Sequence, residues 1–223
     1  MVNPSPQNKQ NPMPVPDQPE TALLRRRWDE RYLSGVRPWD NGQTPPEVIE
    51  FWQSGLLSPA GLAVDLGCGS GVNCAYLASL GQRVIGVDLS GIALSRAQAH
   101  NAERLGPSAS RVSFVQADVM LLPLSGATAH YILDIGCLHS VPRPQRPEYA
   151  RSVADNLRPG GYYHLFAFDW VGDSNLGPTH SDRGLGEEEV HSLFTPAFSV
   201  LTVRRGQPDQ QPCRWYLLCR QTA

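Results

Sequence analysis

The stretch VDLGCGSG, residues 64–71, joins an apolar run to an acid and then to three glycines in five positions. Glycines at such a turn let the backbone bend tightly and let a ligand approach without meeting a Cβ. A helix starting near Gly71 would aim its free N–H groups at that ligand. The dinucleotide fingerprint is GxGxxG, whereas the spacing here is GxGxG, and no lysine and hydroxyl follow it as in a phosphate-binding P-loop. Asp88 lies nineteen residues beyond Gly69 and closes the next apolar run, where an acid can accept both hydroxyls of a ribose. The chemistry these residues point to is recognition of a ribose-bearing cofactor.

The elements that must position them alternate along the chain. Residues 61–66, 83–90, 111–118, 130–136 and 162–170 read as apolar strands, three of them running into an acid or an acid-glycine pair. Helical segments lie between them, closed at Gly81 and Gly106 and, for 145–157, by RPGG. Alternation of this kind predicts an α/β fold, a doubly wound, mainly parallel sheet with helices on both faces and ligands along one edge. The ending differs. After a polar stretch at 171–186 and a short helix at EEEVHSLF, the strand-like runs 199–205 and 213–220 are joined by only seven residues, which requires an antiparallel hairpin and brings the sheet to seven strands. Upstream, residues 1–20 carry six prolines and read as a disordered tail. Residues 21–60 form a helical cap with Leu24, Trp28 and Tyr32 about a turn apart, and 61–223 form the core.

The 223 residues match one sizeable domain. With 19 basic and 21 acidic side chains and no long single-sign block, nothing points to nucleic acid or an anionic membrane, and a small molecule is the expected partner. The five cysteines are odd in number with no metal-ligand spacing, so free thiols, no metal and a cytoplasmic location are expected. No window reaches the roughly eighteen apolar residues of a membrane helix. A monomer or a weak homodimer is expected, with Arg204, Arg205 and Arg214 protecting the hairpin edge.

VDLGCGSG, followed in order by VIGVDLS, QADVMLLP, YILDIGC and LRPGG, resembles the motif set of class I S-adenosylmethionine-dependent methyltransferases, whose Rossmann-like sheet also ends in an antiparallel hairpin. WDERYLSGVRPWDNGQTPPEV and DIGCLHSVP narrow the resemblance to the thiopurine, thiol, halide and tellurite-type enzymes that act on small soft nucleophiles. The resemblance implies that Gly67 and Gly69 pass beneath the methionine part of S-adenosylmethionine, with Asp65 orienting that turn or a water near the ammonium group. It places Asp88 on the ribose, Leu89 against the adenine, Asp118 and the Val119 N–H at the adenine edge, and Asp134, Ile135 and Gly136 near the sulfonium. Trp28 or Trp39 would close over the cofactor, since an indole face attracts a cation.

Methyl transfer from a sulfonium is an in-line displacement in which the enzyme chiefly positions the nucleophile and excludes water. A thiolate needs little else, whereas a weakly acidic oxygen needs a base, and His139 in CLHSVP is the candidate base or substrate orienter. Tyr32, Cys137, Arg143 and Trp170 are the expected substrate contacts, and the stretch 171–186 a recognition element. A thiol or other soft nucleophile is the leading acceptor. The alternatives are an O- or N-methyltransferase using His139 as base, and a non-catalytic S-adenosylmethionine-binding protein. A nicotinamide oxidoreductase is opposed by the glycine spacing and the hairpin.

Overall fold

The computed structural model describes residues 19–35, 37–58, 60–122, 124, 126–169, 184–206 and 212–222. Helices α1 (Pro19–Ser34) and α2 (Pro46–Gln53) precede the sheet. Then follow β1 (Leu62–Leu66), α3 (Val72–Ser79), β2 (Arg83–Asp88), α4 (Gly91–Leu105), β3 (Val112–Gln116), β4 (Ala129–Ile135), α5 (Arg146–Asn156), β5 (Leu157–Phe168), α6 (Glu187–Phe194), β6 (Phe198–Arg205) and β7 (Cys213–Arg220). The seven strands lie in the order β3-β2-β1-β4-β5-β7-β6. All pairs are parallel up to β5, and β7 is antiparallel to both its neighbours, as the short connection demands. The order reverses between β1 and β4, which opens a crevice beyond their carboxyl ends.

Alternation along each strand sends successive side chains to opposite faces. Ala63, Tyr131 and Leu133 pack with α2, α3 and Leu94 of α4, while Val64, Leu66 and Ile132 pack with α5 and α6. The phase of this alternation decides which strand-end residues reach the crevice, and the same rule applies to the acids at the ends of β1, β2 and β4.

The boundaries depart from the sequence reading in three places. Helix α1 begins at Pro19, so two residues assigned to the tail are helical, consistent with proline's ready acceptance in a first turn. Strand β5 starts at Leu157, which pairs with Ala129, and the register shift before Tyr131 absorbs the RPGG turn with Gly160 at φ +71°. It ends at Phe168, after which Asp169 bridges Leu185. The remainder of the tail, Trp170 and most of the stretch 171–186 lie outside the described residues.

Gly71 caps α3 at φ +75°, and a Cβ there would stand 2.7 Å from Asn101 Nδ2, 3.0 Å from Ala97 and 3.1 Å from Phe114. The turn is thus pressed onto α4, whose Asn101 donates to the Gly71 carbonyl at 3.2 Å. Replacing Gly71 with alanine is expected to cost about 2–4 kcal/mol, from left-handed backbone and overpacking together, read as a lowered urea midpoint.

Candidate active site

The glycine turn is held by the acid at the end of the neighbouring strand. The Gly69 N–H donates to Asp88 Oδ2 at 2.9 Å, the Ser90 N–H donates to Oδ1 at 2.8 Å, and the Cys68 N–H reaches the Val87 carbonyl at 3.0 Å. Burial raises the Asp88 carboxyl above its ordinary range, opposed by the backbone N–H groups of Ser90, Gly69 and Leu89. A carboxylate offers about four lone-pair sites, so Asp88 keeps capacity for hydroxyl donors.

Helix α1 crosses this edge. Thr21 donates to Asp118 Oδ2 at 3.2 Å, and Ser90, the N-cap of α4, donates its hydroxyl to Asp29 at 2.5 Å while accepting the Ala93 N–H at 3.1 Å. Tyr32, the buried member of the predicted stripe, brings its hydroxyl to within 2.6 Å of where a Gly69 Cβ would be. Trp39 stands at right angles to Trp28 at 5.8 Å, and the Arg31 guanidinium lies 5.7 and 5.2 Å from the two rings. Trp39 lines the crevice cavity, whereas Trp28 packs edge-on against Trp39 and is not part of the cavity wall.

That cavity, about 260 Å³, lies between the glycine turn and residues 39–46, and Tyr32, Trp39, Asp40, Asp65, Cys68 and Ile135 contribute to its wall. Asp40 accepts from the Ser70 hydroxyl at 2.9 Å and from Arg37 at 3.3 Å. Asp65 is served differently. It is 2 % exposed, its hydrogen-bond donor is the Cys74 thiol at 3.3 Å, and burial, with Asp134 and Asp88 nearby, pushes its carboxyl up to about 7. A buried carboxylate with so weak a donor, opening on a cavity, suits a cationic ligand group. The donor set therefore fits the ammonium and sulfonium of S-adenosylmethionine.

Ile135, at the end of β4, contributes the other wall, and here the structure separates two residues that the sequence reading groups. Asp134 and Ile135 are adjacent, so they face opposite sides of the sheet, and Ile135 is the one that reaches the cavity. Asp134 turns under the sheet toward α5. It accepts the Cys137 N–H at 2.7 Å, the Leu138 N–H at 3.0 Å, the Tyr149 hydroxyl at 2.5 Å and the Tyr163 hydroxyl at 3.2 Å, and burial pushes it up to about 6.

Cys137 packs its sulfur against Gly67, and burial with the surrounding carboxylates raises its thiol well above the ordinary range. The His139 ring sits beneath Gly136 and 5.0 Å from the Phe168 ring, and its Nδ1 accepts the Phe168 N–H at 3.4 Å. Arg143 pairs with Glu189 at 3.8 Å. Of the adenine-side residues, Leu89 is half-buried with its carbonyl accepting Gln116, Asp118 also accepts the Met120 N–H at 3.0 Å, and the Val119 carbonyl accepts Ser152.

Sequence reasoning missed Arg146. It is fully buried, pairs with Glu189 at 2.6 Å, and donates at 3.1 Å to the carbonyls of Val141 and Gly184, tying the segments after β4 and β5 together. The one available signal is the spacing RPEY, which puts Arg146 and Tyr149 on one helix face.

The architecture is that of solved methyltransferases. The 1,6-didemethyltoxoflavin-N1-methyltransferase of Burkholderia thailandensis, solved with S-adenosylhomocysteine, aligns with a TM-score of 0.73 over 99 % of this chain and 100 % of its own at 24 % identity. In sequence, thiocyanate methyltransferase 1 of Brassica oleracea is 32 % identical over 178 residues, 79 % of this chain and 75 % of the relative. Thiopurine S-methyltransferase of Aliivibrio salmonicida is 28 % identical over 198 residues, 82 % and 87 % of the two chains. The protein is thus a class I S-adenosylmethionine-dependent methyltransferase acting on small molecules. The profile of the thiopurine S-methyltransferase (TPMT) family matches residues 24–214, and the chain belongs to that family. No described helix is long and apolar enough to cross a membrane.

Removing the hydroxyl in Ser90→Ala takes away both the α4 cap and the anchor of α1. It is expected to cost about 1 kcal/mol in denaturant unfolding and to speed proteolytic nicking between Gly35 and Pro45.

Proposed function

We propose that the enzyme methylates a small soft nucleophile, a thiol foremost, in the crevice between the glycine turn and the loop after β4. The observation that carries this reading is the state of His139. With Nδ1 accepting the Phe168 N–H, a neutral ring keeps its proton on Nε2 and is not set to take a proton from an acceptor. A nucleophile that needs no strong base fits such a wall, and the relatives named for thiocyanate and thiopurines are of that kind.

S-adenosylmethionine supplies a methyl on a sulfonium, an electrophile whose leaving group is already good. Asp65 holds the ammonium, and the left-handed Gly67 and Gly69 allow the backbone to lie against the methionine part. Asp88 accepts the ribose hydroxyls with its remaining lone pairs, Leu89 covers the adenine face, and Asp118 with the Val119 N–H reads its edge. Trp39 presents an indole toward the positive charge, and Tyr32 with Ile135 excludes water from the transfer path. Cys137, kept as a thiol, serves as wall and not as competing nucleophile.

Asp65 gives this a pH signature. Its folded carboxyl is raised to about 7 from 3.8, so its contribution to stability without cofactor is full below the lower value and lost as pH rises through the higher one. A cation beside it favours the ionised form. Affinity for S-adenosylmethionine is therefore expected to rise between pH 5.5 and 7, by up to about tenfold per unit, and to level off above. Calorimetry in buffers of different ionisation enthalpy should register proton release below pH 7, and Asp65→Asn should bind more weakly with a flat profile.

The acceptor reading is tested with radiolabelled S-adenosylmethionine and a panel of thiophenol, iodide and phenol. Label is expected on thiophenol, with His139→Ala raising the acceptor KM and leaving kcat within about tenfold. Label on phenol alone, abolished in His139→Ala, would replace it with base-assisted O-methylation.

A further inference from the structure

Asp134 is fully buried, yet four donors converge on it, two from the backbone of the loop after β4 and two from the phenols of Tyr149 on α5 and Tyr163 on β5. The phenol oxygens lie 3.4 Å apart, so the one proton of Tyr163 is shared between the Asp134 carboxylate and the Tyr149 oxygen, and neither ring is exposed. The loop that results is a single tight unit. Gly136 turns at φ +82° with its N–H on the Phe166 carbonyl at 3.1 Å, Ser140 bonds back to the Gly136 carbonyl at 3.1 Å, and the Ser140 N–H reaches the Cys137 carbonyl at 2.9 Å. Two of its side chains reach neighbouring segments, Cys137 touching Gly67 of the glycine turn and the buried His139 touching Phe168 at the end of β5.

We propose that Asp134 is a positioning residue for methyl transfer: braced by the Tyr149 and Tyr163 hydroxyls, its carboxylate sets loop 136–140 against the glycine turn, so that Cys137 and His139 align the acceptor with the transferring methyl. The proposal rests on the reading of Cys137 and His139 as the acceptor wall. Hydrogen bonds to a buried ionised group are short and strong, and this one fixes two consecutive N–H groups, which removes the loop's freedom to slide along the crevice. In-line displacement is sensitive to small errors of alignment, so losing a brace impairs turnover before it impairs cofactor binding.

The variants are Tyr149→Phe and Tyr163→Phe, each removing one hydroxyl from a packed ring, with Asp134→Asn as the stronger change. Three quantities are read in each: the Kd of S-adenosylmethionine by calorimetry, kcat and acceptor KM with thiophenol, and hydrogen exchange at the Cys137 and Leu138 amides. For Tyr149→Phe the expected result is a Kd within about twofold, kcat down about three- to tenfold, and those two amides exchanging at least tenfold faster while β1 and β2 keep their protection. Tyr163→Phe, with the longer bond, should follow in the same direction by less. Unchanged amide exchange, or faster exchange with unchanged kcat, or a loss of kcat matched by the loss of cofactor affinity, would overturn the assignment. The exchange measurement needs no acceptor. Failure of the acceptor-wall reading would show separately, as full activity in Cys137→Ala and His139→Ala.

Discussion

The bond from the Gly69 N–H to the Asp88 carboxylate joins the ends of two neighbouring strands, and the cofactor edge is organised around it. By accepting from Gly69 on one oxygen and Ser90 on the other, Asp88 fixes the turn after β1 relative to the start of α4. Ser90, so placed, caps α4 and offers its hydroxyl to Asp29 of α1. Tyr32 then arrives on the glycine that Asp88 holds, where no side chain would fit. One carboxylate thus sets the floor of the crevice, one helix start beside it and the helix across it.

Three strand-end acids share this edge, and their differing compensation divides the labour. Asp88 has strong backbone donors and stays part of the frame while keeping lone pairs for a ligand. Asp134 is saturated by four donors and belongs wholly to the frame. Asp65 has one thiol donor, the weakest compensation of the three. Carboxylates of the same type at equivalent strand ends are distinguished by which N–H and O–H groups the local fold sends to them.

Much of this was legible in the sequence. Apolar runs ending in acids, the glycine spacing and the seven-residue join between the last strands establish a parallel sheet with an antiparallel end, because each is a local constraint on backbone geometry. The distance from Gly69 to Asp88 is legible for the same reason, being one helix and one strand. What sequence could not show is the phase of alternation at β4. In YILDIG either Asp134 or Ile135 can face the crevice, and the choice depends on which helices cover which face. Arg146 was hidden because its partners Val141, Gly184 and Glu189 come from three separate segments. Trp39, in a run of turn formers, already stood out in sequence over Trp28 on its helix, and of the two it is Trp39 that lines the cavity.

Helix α1 covers the cofactor edge with few buried apolar side chains. Its hold there rests on Tyr32 and on hydroxyl bonds from Thr21 to Asp118 and from Ser90 to Asp29. Detaching it breaks a small number of bonds between groups that water can satisfy, and leaves the sheet, the glycine turn and the loop after β4 in place. The cover over this edge is thus held by few polar bonds, while the sheet beneath it is held by its own strand ladders and apolar core, so separate substitutions can alter one without the other.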